Sequence, residues 1–241
     1  MAGLTSIEWT EASWNPVTGC TKVSEGCLNC YAERLAGRLC GMGMRAYRNG
    51  FSVTLHKQAL AIPLRWKKPR MIFVNSMSDL FHEEVPDSFI ESVFKVMNQA
   101  HWHSFQVLTK RPDRLLELND SVDWTPNIWM GVSVELSKHL CRIDCLKKSS
   151  AKLKFVSFEP LLGPISRFSI RGIDWVIVGG ESGPGARPME PDWALKLRDL
   201  SVSSAVPFFF KQWGGVNRKA AGRVLDGQTW SQWPTAAQAR S

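Results

Sequence analysis

Three cysteines stand within eleven residues of the stretch GCTKVSEGCLNCYAER, residues 19–34. Cys20, Cys27 and Cys30 follow the spacing C-x6-C-x2-C. Three is too few for a structural zinc site, which closes on four ligands, and odd for a disulfide framework. A [4Fe–4S] cluster takes one ligand per iron. With three thiolates from the chain, one iron is left for a small molecule, the arrangement by which a cluster binds S-adenosylmethionine (SAM) and passes it an electron. The spacing also leaves open a [3Fe–4S] cluster, or zinc completed by His56. Gly19 and Gly26 let the loop bend tightly. A helix from Cys30 to about Gly41 holds the last thiolate near a helix N-terminus, where the dipole favours negative charge. Cys40 reads as packing in that helix. Cys141 and Cys145, four apart on a predicted helix, read as small hydrophobes sharing a core-facing stripe.

The second set of chemical groups ends six stretches that open on apolar runs: MIFVNSMSD, FQVLTKR, IWMGVSVE, LKFVSFEP, WVIVGGESG and PFFFKQWGG. Each run stops at polar residues. Asn75, Ser76, Ser78 and Asp79 follow the first; Thr109, Lys110 and Arg111 the second; Ser133 and Glu135 the third. Ser157 and Glu159 end the fourth, Gly179, Gly180, Glu181 and Ser182 the fifth, Lys211 and Gln212 the sixth. Asn75, Ser76, Ser78, Asp79, Gly179, Gly180, Glu181 and Ser182 form the candidate cofactor set. Paired glycines at a strand end let a ligand approach the backbone. Glu181 suits the amino group or a ribose hydroxyl of SAM, and Ser182 and Arg187 its carboxylate or a phosphate. Lys110, Arg111, Arg187 and Lys211 form the candidate nucleic-acid clamp. A metal-assisted hydrolase on Asp79, Glu135 and Glu159 lacks a histidine ligand pair.

Near-continuous Val/Ile/Phe runs read as parallel strands buried on both faces, with shorter strands at residues 6–10 and 52–56. Between them, residues 87–101 place Phe89, Ile90, Val93, Phe94 and Met97 on one helical stripe. RPDRLLEL, SKHLCRIDCLKK and EPDWALKLRDLS supply further helices. Strand and helix alternate, so the fold is α/β: a full or partial (β/α) TIM-like barrel with parallel strands over residues 1–215, with an open doubly wound sheet as the rival. Residues 216–241 are expected to pack back on it. Active sites of such folds lie at the carboxyl ends of the strands. Asp79, Glu159 and Glu181 are therefore expected on the same side as Cys27.

The 241 residues are 44% hydrophobic and 22% charged, ordinary for a globular domain. No signal peptide or bilayer-length apolar run is present, which points to the cytoplasm. A net charge of +8 and eleven tryptophans against two tyrosines suit a nucleic-acid partner. Single-stranded or damaged DNA is favoured, with Trp14, Trp129 or Trp213 stacking on a base and Arg218, Lys219 and Arg223 of the tail adding contacts.

The segments WNPVTGCTKVSEGCLNCYAERLAGR, PLRWKKPRMIFVNSMSDLFHEEVP, VLTKRPDRL, FVSFEPLLGPI, WVIVGGESGPGARPM and FFFKQWGG…GRVLDGQTWSQWP together resemble a phage and bacterial family of unknown function, sometimes described as the three-Cys-motif family. The likeness spans nearly the whole chain. It implies a radical-SAM relative: a barrel, an iron–sulfur cluster on Cys20, Cys27 and Cys30, and an analogy to the spore photoproduct lyase group, which repairs thymine lesions in DNA. One departure stands out. Radical-SAM loops run C-x3-C-x2-C with an aromatic before the third cysteine, whereas here the first gap is six and Asn29 holds that place, with Tyr31 after it.

Overall fold

A computed structural model describes residues 2–5, 7–217 and 221–234. Each of the six long apolar runs is a strand. The main sheet contains β1 (Ala2–Leu4), β2 (Ala12–Trp14), β3 (Met71–Val74), β4 (Ser104–Thr109), β5 (Ile128–Ser133), β6 (Leu153–Phe158), β7 (Trp175–Gly179) and β8 (Phe208–Gln212). Their order across the sheet is their order in the chain. β1 runs antiparallel to β2, and every later pair is parallel. An order without reversal has no switch point, so the doubly wound alternative is absent.

The strand expected at residues 6–10 is not formed. Thr10 N donates to Ile7 O at 3.4 Å, closing a turn between β1 and β2, and Ser6 lies outside the described residues. The turn swings Trp9 under the sheet, where it is 2% exposed. Residues 52–56 do contain a short strand, Thr54–Leu55, paired with Val17–Thr18.

The helices longer than four residues are α1 (Tyr31–Gly41), α2 (Asp87–Gln99), α3 (Pro112–Glu117), α4 (Cys141–Lys148) and α5 (Pro191–Ser203). α2 buries the predicted stripe of Phe89, Ile90, Val93, Phe94 and Met97. α3 and α5 begin with proline, whose missing N–H costs nothing at a first turn. α4 buries Arg142, Ile143 and Leu146 instead of its cysteines. Cys141 is exposed and Cys145 half-buried, because the apolar stripe is displaced from them around the helix.

Strand parity divides the interior in two. Ile72, Val74, Phe105, Val107, Met130, Val132, Val156, Phe158, Val176, Val178, Phe208 and Phe210 meet the helices. Trp9, Phe73, Trp129, Leu153, Phe155, Trp175, Ile177 and Phe209 gather on the opposite face. Trp9 precedes β2, yet its ring centroid is 6.4 Å from that of Trp175 on β7. Five strand spacings in a flat sheet would separate those strands by about 24 Å. The sheet is therefore rolled around the second cluster. β1 and β8 remain its two edges. Gly131 keeps this interior close-packed: a Cβ there would lie 2.4 Å from the Phe155 ring.

Residues 221–234 return along β8. Phe210 N donates to Trp230 O and Gln232 N to Phe208 O, at 3.0 and 3.1 Å. Trp233 packs on Trp175 with centroids 4.9 Å apart. Arg218 and Lys219 lie outside the described residues. Among the described residues no helix is long and apolar enough to cross a membrane.

Candidate functional site

A cavity of about 590 Å³ opens at the carboxyl ends of the parallel strands. Cys20, Cys27, Cys30, Asp79, Glu159 and Glu181 all line it, so the strand-end acids and the cysteine loop share one side of the sheet. Asn75, Ser76, Ser78, Lys110, Arg111, Gly180, Ser182, Lys211 and Gln212 line it too, while Trp9, Phe73 and Leu108 give it an apolar floor.

The cysteine loop leaves the end of the Val17–Thr18 strand. Gly19 N donates to Met77 O at 2.9 Å and Cys20 N to Phe51 O at 3.1 Å. Cys27 closes a 3-10 turn, and Cys30 is the residue before α1. All three thiols are free. Burial pushes the Cys20 thiol up to about 11, with Asp79, Cys27 and Cys30 adding to the rise and Arg111 opposing it. Among the described residues, no three Cys, His, Asp or Glu side chains converge closely enough to share one ion. His56, the candidate fourth zinc ligand, does not line the cavity; its Nε2 is 2.8 Å from Thr18 Oγ1.

Three clamps fix the loop. The first is Glu135, wholly buried two residues beyond β5. It accepts from Ser24 Oγ at 2.7 Å and pairs with Lys110 Nζ at 3.0 Å and Arg142 Nη1 at 2.8 Å. Burial pushes its carboxyl up, but the two cations outweigh it and hold it below the usual range. Gly26 lies so close that a Cβ would come within 2.5 Å of this carboxylate. The second clamp is Glu181. It receives Asn29 Nδ2 at 3.0 Å and Arg187 Nε at 2.9 Å, while Arg187 Nη2 also reaches Glu25 O at 2.8 Å. Burial opposes ionisation of Glu181, yet these donors bring it down to about 2. The third is Arg111. Its Nη1 is 3.7 Å from Cys20 Sγ, Nη2 donates to Thr21 Oγ1 at 2.8 Å, and Nε pairs with Glu83 at 2.9 Å.

Asp79 joins the ends of β3 and β4, accepting from Thr109 Oγ1 at 2.8 Å and Lys110 N at 3.0 Å. Ser76 Oγ donates to Asn15 Oδ1 and Ser78 Oγ to Val17 O, at 3.2 and 2.9 Å. Asn75 adopts a positive φ of 61° and leaves its buried Nδ2 without a partner; Gln212 Oε1 is likewise unpaired. The close approach expected at the glycine pair is made by the chain itself. A Cβ at Gly180 would lie 1.9 Å from Trp213 O, and one at Gly179 would lie 2.4 Å from Glu159 Oε1. Ser182 Oγ meets the Gln212 amide, and Ser182 O accepts from Arg34 Nη2 at 3.0 Å.

Lys110, Arg111 and Lys211 point into the cavity wall, each paired with a carboxylate, and Arg187 is paired with Glu181. The expected stacking tryptophans lie elsewhere. Trp14 is wholly buried on the helix side, its Nε1 donating to Ala59 O at 2.8 Å, because its strand parity turns it away from the cavity. Trp129 sits in the aromatic cluster below, and Trp213 packs on Phe210. The tryptophan lining the cavity is Trp9. Sequence reasoning passed over Asn29, Arg142 and Trp9 as site residues. Asn29 carried a signal in its place, an amide directly before the third cysteine of the loop.

A family model described as "Protein of unknown function (DUF5131)" matches residues 4–234. No curated protein matches the chain. Two solved structures are similar to it. One is spore photoproduct lyase complexed with dinucleoside spore photoproduct, at 14% identity and TM-score 0.44, covering 72% of this chain and 57% of that one. The other is a mutant of that lyase with bound AdoMet and dinucleoside spore photoproduct, at 13% identity and TM-score 0.43, covering 70% of this chain and 56% of that one. The chain covers little more than half of either lyase chain. By its match over nearly all its length, it belongs to the DUF5131 family.

Proposed function

We propose that this DUF5131 member is an iron–sulfur protein of radical-SAM type, built on a partial (β/α) barrel and acting on nucleic acid, in DNA repair or base modification. The observation that carries the reading is the meeting of three free cysteines, on one clamped loop, at the mouth of a cavity that also collects the strand-end polar groups. Three thiolates suit a cluster, where each ligates its own iron, whereas a structural zinc ion closes on four ligands. Cys20, Cys27 and Cys30 would hold the cluster. A [4Fe–4S] cluster held this way supplies a free iron for SAM and an electron for its cleavage; a [3Fe–4S] cluster would lack that iron.

The chain's own residues divide the remaining work. Arg111 donates toward Cys20 Sγ and ties the loop to Glu83. Asn75 and Gln212 line the cavity, each with one buried amide atom left unpaired in its wall. Asn75, Ser76 and Ser78 on one side, with Gly180, Glu181 and Ser182 on the other, are the candidate SAM contacts. The apolar floor of Trp9 and Phe73 excludes water and accepts a flat ring. A base reaches that floor only out of its stack, which favours single-stranded or locally unpaired substrate.

The test is anaerobic incubation of reduced protein with SAM, with and without single-stranded oligonucleotide. Release of 5′-deoxyadenosine that depends on Cys20, Cys27 and Cys30 supports the reading. A bound cluster with no SAM cleavage would leave a non-catalytic redox or nucleic-acid-binding module.

A further inference from the structure

Glu159 and Lys211 take no part in clamping the cysteine loop, yet they form an ion pair inside the cavity. Parity explains how they get there. On β6, Val156 and Phe158 face the helices, so Ser157 and Glu159 continue the inner face begun by Phe155. On β8, Phe208 and Phe210 face the helices, so Lys211 follows Phe209 inward. Lys211 Nζ is 3.1 Å from Glu159 Oε1, and Ser157 Oγ donates to Glu159 Oε2 at 3.0 Å. Gly179 on the strand between them makes the meeting possible, since any side chain there would strike Glu159 Oε1. Packing alone does not ask for this pair, because replacing a sheltered ion pair by apolar residues is commonly neutral or stabilising.

The pair offers a ligand a row of three groups. Lys211 retains ammonium donors after serving Glu159, and both carboxylate oxygens keep free lone pairs. The row reads donor, acceptor, acceptor: Nζ, then Oε1 beside it, then Oε2. Its complement is acceptor, donor, donor. The Watson–Crick edge of guanine has that order, with O6, N1–H and the 2-amino group. Uracil and thymine end the row with an acceptor facing Oε2, and adenine and cytosine match at two places only. The apolar floor of Trp9 and Phe73 suits the ring.

We infer that Glu159 and Lys211 read the Watson–Crick edge of an unpaired guanine held in the cavity, an inference that rests on the reading that this cavity accepts a component of nucleic acid. That edge is occupied in a duplex, so the base must leave its pair to be bound.

The experiment titrates the anaerobically purified chain with guanosine, 1-methylguanosine, inosine, adenosine, uridine and free methionine, and measures iron in every sample. Guanosine should bind, and 1-methylguanosine, inosine, adenosine and uridine should each bind about tenfold or more weakly, as a lost bidentate base contact predicts. The double variant Glu159→Leu/Lys211→Met, which leaves no unpaired charge, should lose the preference for guanosine while keeping wild-type iron. Equal binding of guanosine and 1-methylguanosine, preference for another base, an unchanged preference in the double variant, or binding of methionine alone would each overturn the inference. Wild-type protein without iron would sink the cluster reading and leave the nucleoside comparison intact.

Discussion

Gly131 marks the point where one missing methyl decides the packing of the interior. Its added Cβ would lie 2.4 Å from the Phe155 ring, inside a cluster already closed by Trp9, Trp129 and Trp175. Gly131→Ala should therefore destabilise the fold by about 1–3 kcal/mol, read from denaturant midpoints at unchanged slope. Arg111 acts at the same scale on the cysteines. Its guanidinium hydrogen-bonds toward Cys20 Sγ from a mostly buried position. Hydrogen bonds and positive charge near a cluster favour its more negative, reduced form. In the cluster-loaded protein, Arg111→Met should move the midpoint potential to a more negative value in a redox titration followed by electron paramagnetic resonance. An unchanged midpoint would remove Arg111 from the account. The types and places of these residues were legible in the sequence, since the cysteines and strand-end charges announce themselves. Their directions were less so. Lys110 and Arg111 were read as a clamp for phosphate, but each is turned toward a carboxylate of its own chain.

The cysteine loop is the element on which the site depends, and its clamps come from distant parts of the chain. Asn29 meets Glu181 across 152 positions and Ser24 meets Glu135 across 111. No local pattern reports such pairings; the rolled sheet creates them by bringing the ends of β5 and β7 under one loop. The secondary structure was legible for the opposite reason, because period and proline placement are local. It failed at residues 7–10, where Trp9 is needed beneath the sheet, and on α4, whose buried stripe avoids Cys141. The Glu181 clamp gives a pH signature. Its carboxyl lies at about 2 in the folded chain, against 4.5 ordinarily. A depressed carboxyl stabilises the fold above its unfolded value and loses that contribution as pH falls toward the folded one. Wild type should exceed Glu181→Gln by about 3 kcal/mol near neutrality. The gap should narrow from about pH 4.5 down toward 2, in denaturation series at stepped pH. A gap independent of pH would mean that the clamp is not electrostatic.

At the scale of the molecule, the sequential order of parallel strands sends every strand end to one rim, so groups scattered from Cys20 to Gln212 share one cavity. That convergence was legible from the alternation of runs and helices. The roll of the sheet was not, because it rests on long-range aromatic contacts such as Trp9 with Trp175. A chain of net charge +8 should bind single-stranded oligonucleotide, with affinity that falls linearly in log–log form as salt rises. Binding indifferent to salt, or none at low salt, would turn the account toward a small nucleotide-like substrate. The central claim is that Cys20, Cys27 and Cys30 together hold one iron–sulfur cluster. Its most direct test is the iron, sulfide and zinc content of the anaerobically purified chain beside the variant Cys20→Ala/Cys27→Ala/Cys30→Ala. The account predicts about four irons and as many sulfides per chain in the wild type, and neither in the variant. Iron retained by the variant, or stoichiometric zinc in place of iron in the wild type, would contradict it.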